Sequence, residues 1–583
     1  MLKIKINDIA HCFGNTFETI RDKYNRIDDK GVNHGRVIYY DRENDLYYKI
    51  FHKDYVRRTN FEMAIRKNFF DGLAPALVQL IFDGDDIVGY VSKAGRVLSD
   101  NEFDAHLIPN EFTEKLINKI KDTDLFFYDL VPSNIIKLDD GQLSLIDLES
   151  VYEISDLFKI EEHNAKIKPN SLYDVVYNEW RKQMKPISFI QPSRNNLKYL
   201  KWSYNSIRKN LGYIHEICMA DDFSDDGTWE WMQKITKKDP NVKIHRNEGP
   251  TRLGHTILYD TLINDYATND IVMIYHADMY ACPGLDVEIN KHIKKGVVVS
   301  GTRIEPPLHP DGPEKILQDY GIEPEEFKEL DLLRDLDKMR NKGKTTEGIF
   351  APWAIMKEDF QSIGGHDSLY APQSKEDSDI FNRFLLAGYK LVQTWEGFVY
   401  HMTCRGSRFA DGAKRNPDGQ VFMKGRETEE WLKQNHKSTR NFIRKWGHFV
   451  KHDALLKPIV PPKYDIGFVI TGCKDDILYE LEPWCSNIYV DSTVANRYIE
   501  SEQSETDFNL SDRVQTLFDK GNNDITLEFD ANDFNQESFN IITSLSEILA
   551  NDELEIGEFE LGIFKITINK IKTYEEDLIK CES

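Results

Sequence analysis

Residues 187–228 alternate in a way that few architectures accommodate. Ile187-Ser188-Phe189-Ile190-Gln191-Pro192-Ser193-Arg194-Asn195 is an apolar run closing in turn residues, and it reads as a buried strand. The period then changes: Leu197 to Lys209 predicts a helix, and Tyr213 to Met219 a second strand. Ala220-Asp221-Asp222-Phe223-Ser224-Asp225-Asp226-Gly227-Thr228 follows as an acidic loop leading into a helix. Strand, helix, strand, loop and helix predict a doubly wound parallel sheet, an α/β fold whose ligands bind beyond the carboxyl ends of the strands. Four acids within six residues at such an end repel one another. That favours a ligand or cation close by over a solvated acidic turn.

Further on, Ile271 to Tyr275 predicts another buried strand, ending in His276-Ala277-Asp278. Lys375-Glu376-Asp377-Ser378-Asp379 opens an amphipathic helix with Ile380, Phe381, Phe384 and Leu385 on one face and Gly388 as its stop. Leu391 to Trp395 and Phe398 to His401 read as two short extended pieces. Helical stretches are expected at Pro313 to Tyr320 and Pro324 to Asn341, in an insertion between Arg303 and Thr346. Trp353 and Trp395 suit either a sugar platform or the core.

The run Gly364-Gly365-His366-Asp367, then Glu376-Asp377, then Gly388-Tyr389, then His401 resembles the C-terminal half of family 2 glycosyltransferases. The acidic loop resembles that family's DDGSxDGT pattern, with Phe223 for the first glycine, and His276-Ala277-Asp278 stands at its D-x-D position, with His276 replacing the first acid. The resemblance implies a GT-A fold and inverting, metal-dependent transfer of a hexose-type sugar from a nucleotide sugar to a glycan or other hydroxyl acceptor. It makes Asp377 the base and Glu376 its orienting partner. Pro192, Asp221, Asp222, Asp278 and Arg405 would line the nucleotide-sugar site, with Ser407 and Arg408 near the diphosphate. Asp278, His401 and His276 would hold Mn2+ or Mg2+. The chemistry needs a proton acceptor and positive charge on the leaving diphosphate.

The N-terminal region carries a different pattern. Strands are predicted at Val37 to Tyr40 and Leu46 to Phe51, with Lys49 in the second, and a helix at Asn60 to Phe70 carrying Glu62. Asp129-Leu130-Val131-Pro132-Ser133-Asn134, a hairpin at Asp139-Asp140-Gly141 and then Asp147 resemble the protein-kinase-like fold, as in bacterial kinases of lipopolysaccharide sugars. That resemblance implies Asp129 as base, Lys49 paired to Glu62 on the phosphates of ATP, and Asn134 and Asp147 on Mg2+. Gly31 and Gly35 fit a glycine loop poorly, Tyr128 replaces the usual Arg, and Asp147-Leu148-Glu149 replaces D-F-G. A pseudokinase scaffold is the alternative, as is a carbohydrate kinase whose transferase-like half only binds glycan.

Length forbids a single core: 583 residues imply about two to four domains. The divisions expected are 1–170 kinase-like, 171–185 a linker helix from Leu172 to Lys182, 186–412 GT-A, 413–462 a helical extension, and 463–583 a small α/β domain. In the extension, Glu427 to Gln434 and Ser438 to His448 read as two helices, the second with a basic face suited to solvent. In the last domain, strands are expected at Ile466 to Ile470, Ile488 to Asp491, Ile525 to Phe529 and Glu558 to Ile568, and a helix at Gln536 to Leu549. Homo-oligomerisation and acceptor docking are the roles considered for it. A net charge of −24 disfavours nucleic acid or an anionic membrane as partner. Scattered cysteines without C-x-x-C, no apolar leader and no bilayer-length apolar run lead to the expectation of a cytoplasmic protein without a transmembrane segment.

Overall fold

The computed structural model describes residues 2–5, 17–21, 36–41, 43–51, 57–99, 102, 108–123, 125–153, 172, 176, 184–212, 214–403, 412–423, 427–550 and 555–581. The chain divides into two compact units, Met1–Met184 and Lys185–Ser583. Of the expected linker helix, only Leu172 and Val176 fall among the described residues. No helix among those residues is long and apolar enough to cross a membrane.

The first unit holds a six-stranded sheet in the order Leu2–Lys5, Leu77–Asp83, Asp86–Lys93, Leu46–Phe51, Arg36–Asp41, Phe17–Arg21. The expected Glu62 helix runs over Arg57–Arg66 and buries Phe61 and Ala64. Phe61 packs on Phe51 and Tyr90 at ring distances of 5.4 and 5.0 Å, which fixes the helix against the Lys49 strand and its neighbour. Helix Asn110–Thr123 buries Phe112, Leu116, Ile117 and Ile120, an apolar stripe at helical spacing. The hairpin forms as its turn residues direct: Ile135–Lys137 pairs antiparallel with Leu143–Leu145, and Gly141 turns at φ 86°.

The second unit is organised by a ten-stranded sheet. Its main path runs Val242–Asn247, Glu216–Asp222, Ile187–Ser193, Ile271–Ile274, Trp353–Met356, Val297–Glu305, Lys390–His401, Met279–Ala281. The first four are mutually parallel. The chain builds outward from Ile187–Ser193 to one edge, then returns to that strand's other side at Ile271. This reversal opens a crevice at the carboxyl ends of the central strands. All four residues of Ile271–Ile274 are buried, as a strand covered on both faces requires.

Several expectations change. Lys390–His401 is one continuous strand, because its partner's register slips from Gly301↔Thr394 to Thr302↔Phe398 and the residues between are absorbed as a bulge. Pro313 to Tyr320 is not helical: Ile316 and Leu317 add to the sheet beside Ile304 and Glu305, and helix appears only later, over Glu329–Met339. The two helices of the extension are one, Glu429–Trp446, capped by the Thr428 side chain and ended by Gly447 at φ 78°. Its basic residues are not solvated. Arg444 is buried against Glu482 at 2.8 Å, Arg440 lies 3.6 Å over the Tyr479 ring, and Lys445 reaches Asp379 at 2.6 Å.

The C-terminal sheet has the order Val514–Thr516, Asn487–Val490, Ile466–Thr471, Ile525–Asp530, Phe564–Ile568, Gly557–Leu561. Its first four strands are parallel. The long strand expected over Glu558 to Ile568 is a hairpin turned at Gly562, φ 57°. The long helix expected there is two short ones, Gln536–Thr543 and Leu545–Leu549. Both candidate sugar-platform tryptophans are interior. Trp353 is fully buried between Phe381 and Phe384, and buried Trp395 donates to Thr346 beneath the Lys344 ammonium.

Candidate active site

Strand pairing assembles the first cluster. Met279–Ala281 runs antiparallel to the end of Lys390–His401 with Met279 opposite His401, so the residues just before Met279 meet His401. Ligand atoms of His276, Asp278 and His401 all lie within 4.8 Å of one another. His401 Nε2 is 3.4 Å from Asp278 Oδ1, while its Nδ1 is 2.9 Å from Glu305 Oε1. Glu305 is buried with Arg303 at 3.0 Å and Lys315 at 3.4 Å. A carboxylate behind one ring nitrogen leaves the other to face a metal, the usual way of orienting an imidazole ligand.

Burial, with His401 beside it, pushes the His276 imidazole down to about 3, so it offers a neutral lone pair. Burial works against the His401 cation, but Asp278 and Glu305 outweigh it and raise that ring to about 9. Two nitrogens and one carboxylate, with Glu305 behind, fit a divalent cation that accepts mixed N/O ligands. Manganese suits that set better than calcium. Glu305 was not singled out in the sequence; its only signal is the pair of charges at Arg303 and Glu305 in a strand with no other charged residue.

The second cluster opens the helix Glu376–Leu386. Glu376 is buried, with Oε1 3.4 Å from His255 Nε2. Burial opposes its charge, yet the His255 contact and His366 hold it below the usual carboxylate range. Asp377, next in the chain and half-buried, goes the other way: burial and the Glu376 charge push it up to about 6. Two adjacent carboxyls with opposite displacements divide into a fixed anion and a proton acceptor. One turn on, Asp379 is fully buried and accepts from Arg383 at 2.7 Å and from Trp446 at 2.9 Å. The Lys445 ammonium lies between Asp367 and Asp379, 2.7 and 2.6 Å away, so that acid pair and nearby Cys581 already have their cation.

The expected nucleotide-binding residues divide by role. Pro192 lies half-buried near the end of the central strand. Asp221 is buried, Ser224 donates to its Oδ1, and its Oδ2 is left without a hydrogen-bond partner, 3.5 Å from Arg246 Nε. Burial raises its pKa. Asp222 is instead committed to the fold. It accepts from Asn247 at 2.8 Å, from Leu253 N–H at 3.0 Å and from Gly254 N–H at 2.8 Å, holding the start of helix Gly254–Thr261. Gly254 sits at φ +75°, where a Cβ would stand 1.9 Å from the Pro372 carbonyl. Arg405, with Ser407 and Arg408, lies outside the described residues.

In the first unit, Lys49 pairs with Asp147, and the buried Glu149 lies 3.5 Å from the same ammonium. The expected Lys49–Glu62 pair does not form: Arg66, one turn along the helix, takes Glu62 at 3.0 Å. Glu149 was missed as the acid beside Lys49. Asn134 donates to the Asp129 carbonyl at 3.0 Å, and the Asp129 carboxylate accepts from Ser150 at 2.9 Å. Asp147 adopts φ 57°. Lys49–Asp147 and Asn134–Asp129 are thus two contact pairs joined by Ser150, whose hydroxyl donates to Asp129 and whose N–H donates to the Asp147 carbonyl at 3.1 Å.

Residues 188–364 match the family model of Glycosyl transferase family 2. Among solved structures, the chain is similar to a crystal structure of GalNAc-T7 with UDP, GalNAc and Mn2+. The identity is 15%, the TM-score 0.29, and the match covers 38% of this chain and 43% of that one. The chain therefore spans less than half the length of that neighbour. Among curated proteins, no match is found.

The two adjacent acids of the loop make separable predictions. Asp221→Asn is expected to weaken UDP or GDP binding about tenfold with little change in stability, by loss of one charge-assisted hydrogen bond. Asp222→Asn is expected to cost about 1–3 kcal/mol of stability, because an amide N–H2 then faces backbone N–H groups. Calorimetry and denaturant titration check both. A stable Asp222→Asn that has lost nucleotide affinity would return that residue to the ligand.

Proposed function

We propose that this chain, which carries a glycosyl transferase family 2 domain, transfers a hexose-type sugar from a nucleotide-sugar donor to a hydroxyl of a glycan acceptor, with inversion. The observation that carries the reading is convergence: the His276, Asp278 and His401 cluster and the Glu376–Asp377 pair both belong to the sheet unit with the Ile187–Ile274 crevice. In this reading the three ligand residues hold Mn2+ or Mg2+, which supplies positive charge to the departing diphosphate. Asp377 accepts the acceptor hydroxyl's proton as that oxygen bonds to the anomeric carbon and the bond to the diphosphate breaks. Glu376, held ionised by His255, fixes the geometry of its neighbour. Asp221 and Pro192 line the donor side.

Incubation with a panel of UDP- and GDP-sugars, with and without manganese, tests the reading through release of nucleotide. Turnover is expected only with the cation, and Asp377→Asn is expected to lower it by about 10²–10⁴ with nucleotide binding retained. Unchanged turnover in that variant would end the assignment of the base.

A second reading concerns the first unit, and the Lys49–Asp147 pair beside Asn134 and Asp129 favours it. We propose that this unit binds ATP with Mg2+, Lys49 on the phosphates and Asn134 and Asp147 on the metal, with Asp129 as base if a sugar is phosphorylated. In the full chain, ATP is expected to raise thermal stability only with Mg2+, by about 2.7 kcal/mol at a hundredfold excess over Kd. Asp147→Ala is expected to abolish the Mg2+ dependence. No shift with ATP and Mg2+ would leave this unit a scaffold.

A further inference from the structure

Two buried polar atoms beside the base have no hydrogen-bond partner: Glu376 Oε2 and His366 Nε2. His366 is enclosed, its side chain 0% exposed, and it pins Asp260. Its Nδ1 stands 2.6 Å from Asp260 Oδ1, and its backbone N–H donates to Asp260 Oδ2 at 2.9 Å. This approach exists only because residue 365 is Gly: at φ +69°, a Cβ would lie 2.1 Å from Asp260 Oδ2. The Asp260 contact takes one ring nitrogen and leaves Nε2 to the rest of the pocket.

A column of rings links that pocket to the carboxyl pair. His366 stacks on Tyr259 at 5.6 Å, and Tyr259 stacks on His255 at 6.0 Å. His255 in turn faces Glu376 Oε1 at 3.4 Å. His255, Tyr259 and Asp260 share helix Gly254–Thr261 at i, i+4 and i+5, so one helix supplies both ends of the arrangement. Trp353 and Phe360 close its other sides. An apolar ring would fill this aromatic cage without burying an unpaired nitrogen. The polar pair therefore calls for a use.

We propose that the Asp260–His366 pair, together with His255, is a positioning unit that divides the Glu376–Asp377 pair into a fixed anion and a proton acceptor. The proposal rests on the transferase reading for the identity of the reaction. His366 and His255 both lower the proton affinity of Glu376 and of Asp377, but the 3.4 Å contact of His255 Nε2 goes to Glu376 alone. The groups acting on Asp377 are Glu376 from its own helix, His255 from helix Gly254–Thr261 and His366 from the preceding turn, and burial together with the Asp377 charge raises the Tyr259 phenol. Arg252 acts on Glu376, Arg383 holds the Gly365 carbonyl at 2.6 Å, and Asp367 is taken by Lys445. The sign follows: with His366 removed, Asp377 binds its proton more tightly, and a base that must be ionised fails at a higher pH.

The test compares full-length wild type with His366→Gln and with His366→Phe, which refills the cage should the first variant not fold. Nucleotide release from a turned-over nucleotide sugar is followed from about pH 5 to pH 9 with saturating Mn2+. The acid limb of kcat is expected to move upward by about one pH unit from a base near 6, with about a twofold loss near pH 7 that grows to about tenfold near pH 5, convergence at high pH and an unchanged donor KM. A uniform loss with an unmoved limb would overturn the proposal and leave His366 a packing residue. Infrared difference spectra without substrate give an independent readout, the protonated-carboxyl band that Asp377→Asn removes. That band is expected to appear at higher pH in both His366 variants, and an unmoved band overturns the proposal. If the wild type releases no nucleotide while the band still moves in the His366 variants, the transferase reading fails and this proposal stands.

Discussion

The helix that opens with Glu376 and Asp377 is held by one buried carboxylate. Asp379 accepts from Arg383 on its own helix and from Trp446 on Glu429–Trp446, and Lys445 sets an ammonium against it. Burying an acid is costly unless it is paired and hydrogen-bonded, and here Asp367 and Asp379 face Arg383 and Lys445, two charges of each sign. Removing one partner would strand the others, so the arrangement fixes the helix more firmly than its strength alone suggests. Lys445 and Trp446 come from beyond the ten-stranded sheet, which makes the later part of the chain a brace for this helix. The tail adds to it: Cys581 N–H donates to the Ile363 carbonyl at 3.2 Å, and Gly364 leaves room for the Cys581 carbonyl.

Around that brace, the sheet does the gathering. The reversal of strand order sets Asp221, at the end of Glu216–Asp222, and His276, just past Ile271–Ile274, on either side of the central Ile187–Ser193 strand, and the antiparallel pairing of Met279 with His401 brings the last residue of the cluster in from 123 residues further on than Asp278. The two carboxyls at the helix start then diverge because their surroundings differ: His255 stabilises the charge of Glu376, whereas that charge and burial work against Asp377.

Much of this was legible in residues close in sequence. The strands from Ile187, Leu46 and Ile271, the acidic helix start and the stop at Gly388 follow from apolar period and turn chemistry, which are local properties. Harder to read was anything decided by tertiary pairing. Ile316 and Leu317 are extended because a sheet edge offers hydrogen bonds that a local helix would forgo. The basic face of Glu429–Trp446 looked solvated because Glu482 and Asp379 are far away in sequence. Asp221 and Asp222 are neighbours with opposite duties, since strand alternation points one toward Ser224 and Arg246 and the other toward the helix at Gly254. Glu305, His255 and Asp260 carried no motif, and only the folded contacts reveal them. Glu149 likewise displaced Glu62 beside Lys49 because Arg66 was nearer to Glu62.

The proposed transfer depends on a divalent cation held by His276, Asp278 and His401 in the unit that carries Asp377. Electron spin-echo spectroscopy of Mn2+ bound to the full chain, with its histidines labelled by nitrogen-15, examines that claim directly. Coupling to two imidazole nitrogens is expected in the wild type, one each from His276 and His401, falling to one in His401→Ala. A bound manganese ion with no histidine coupling would contradict the account.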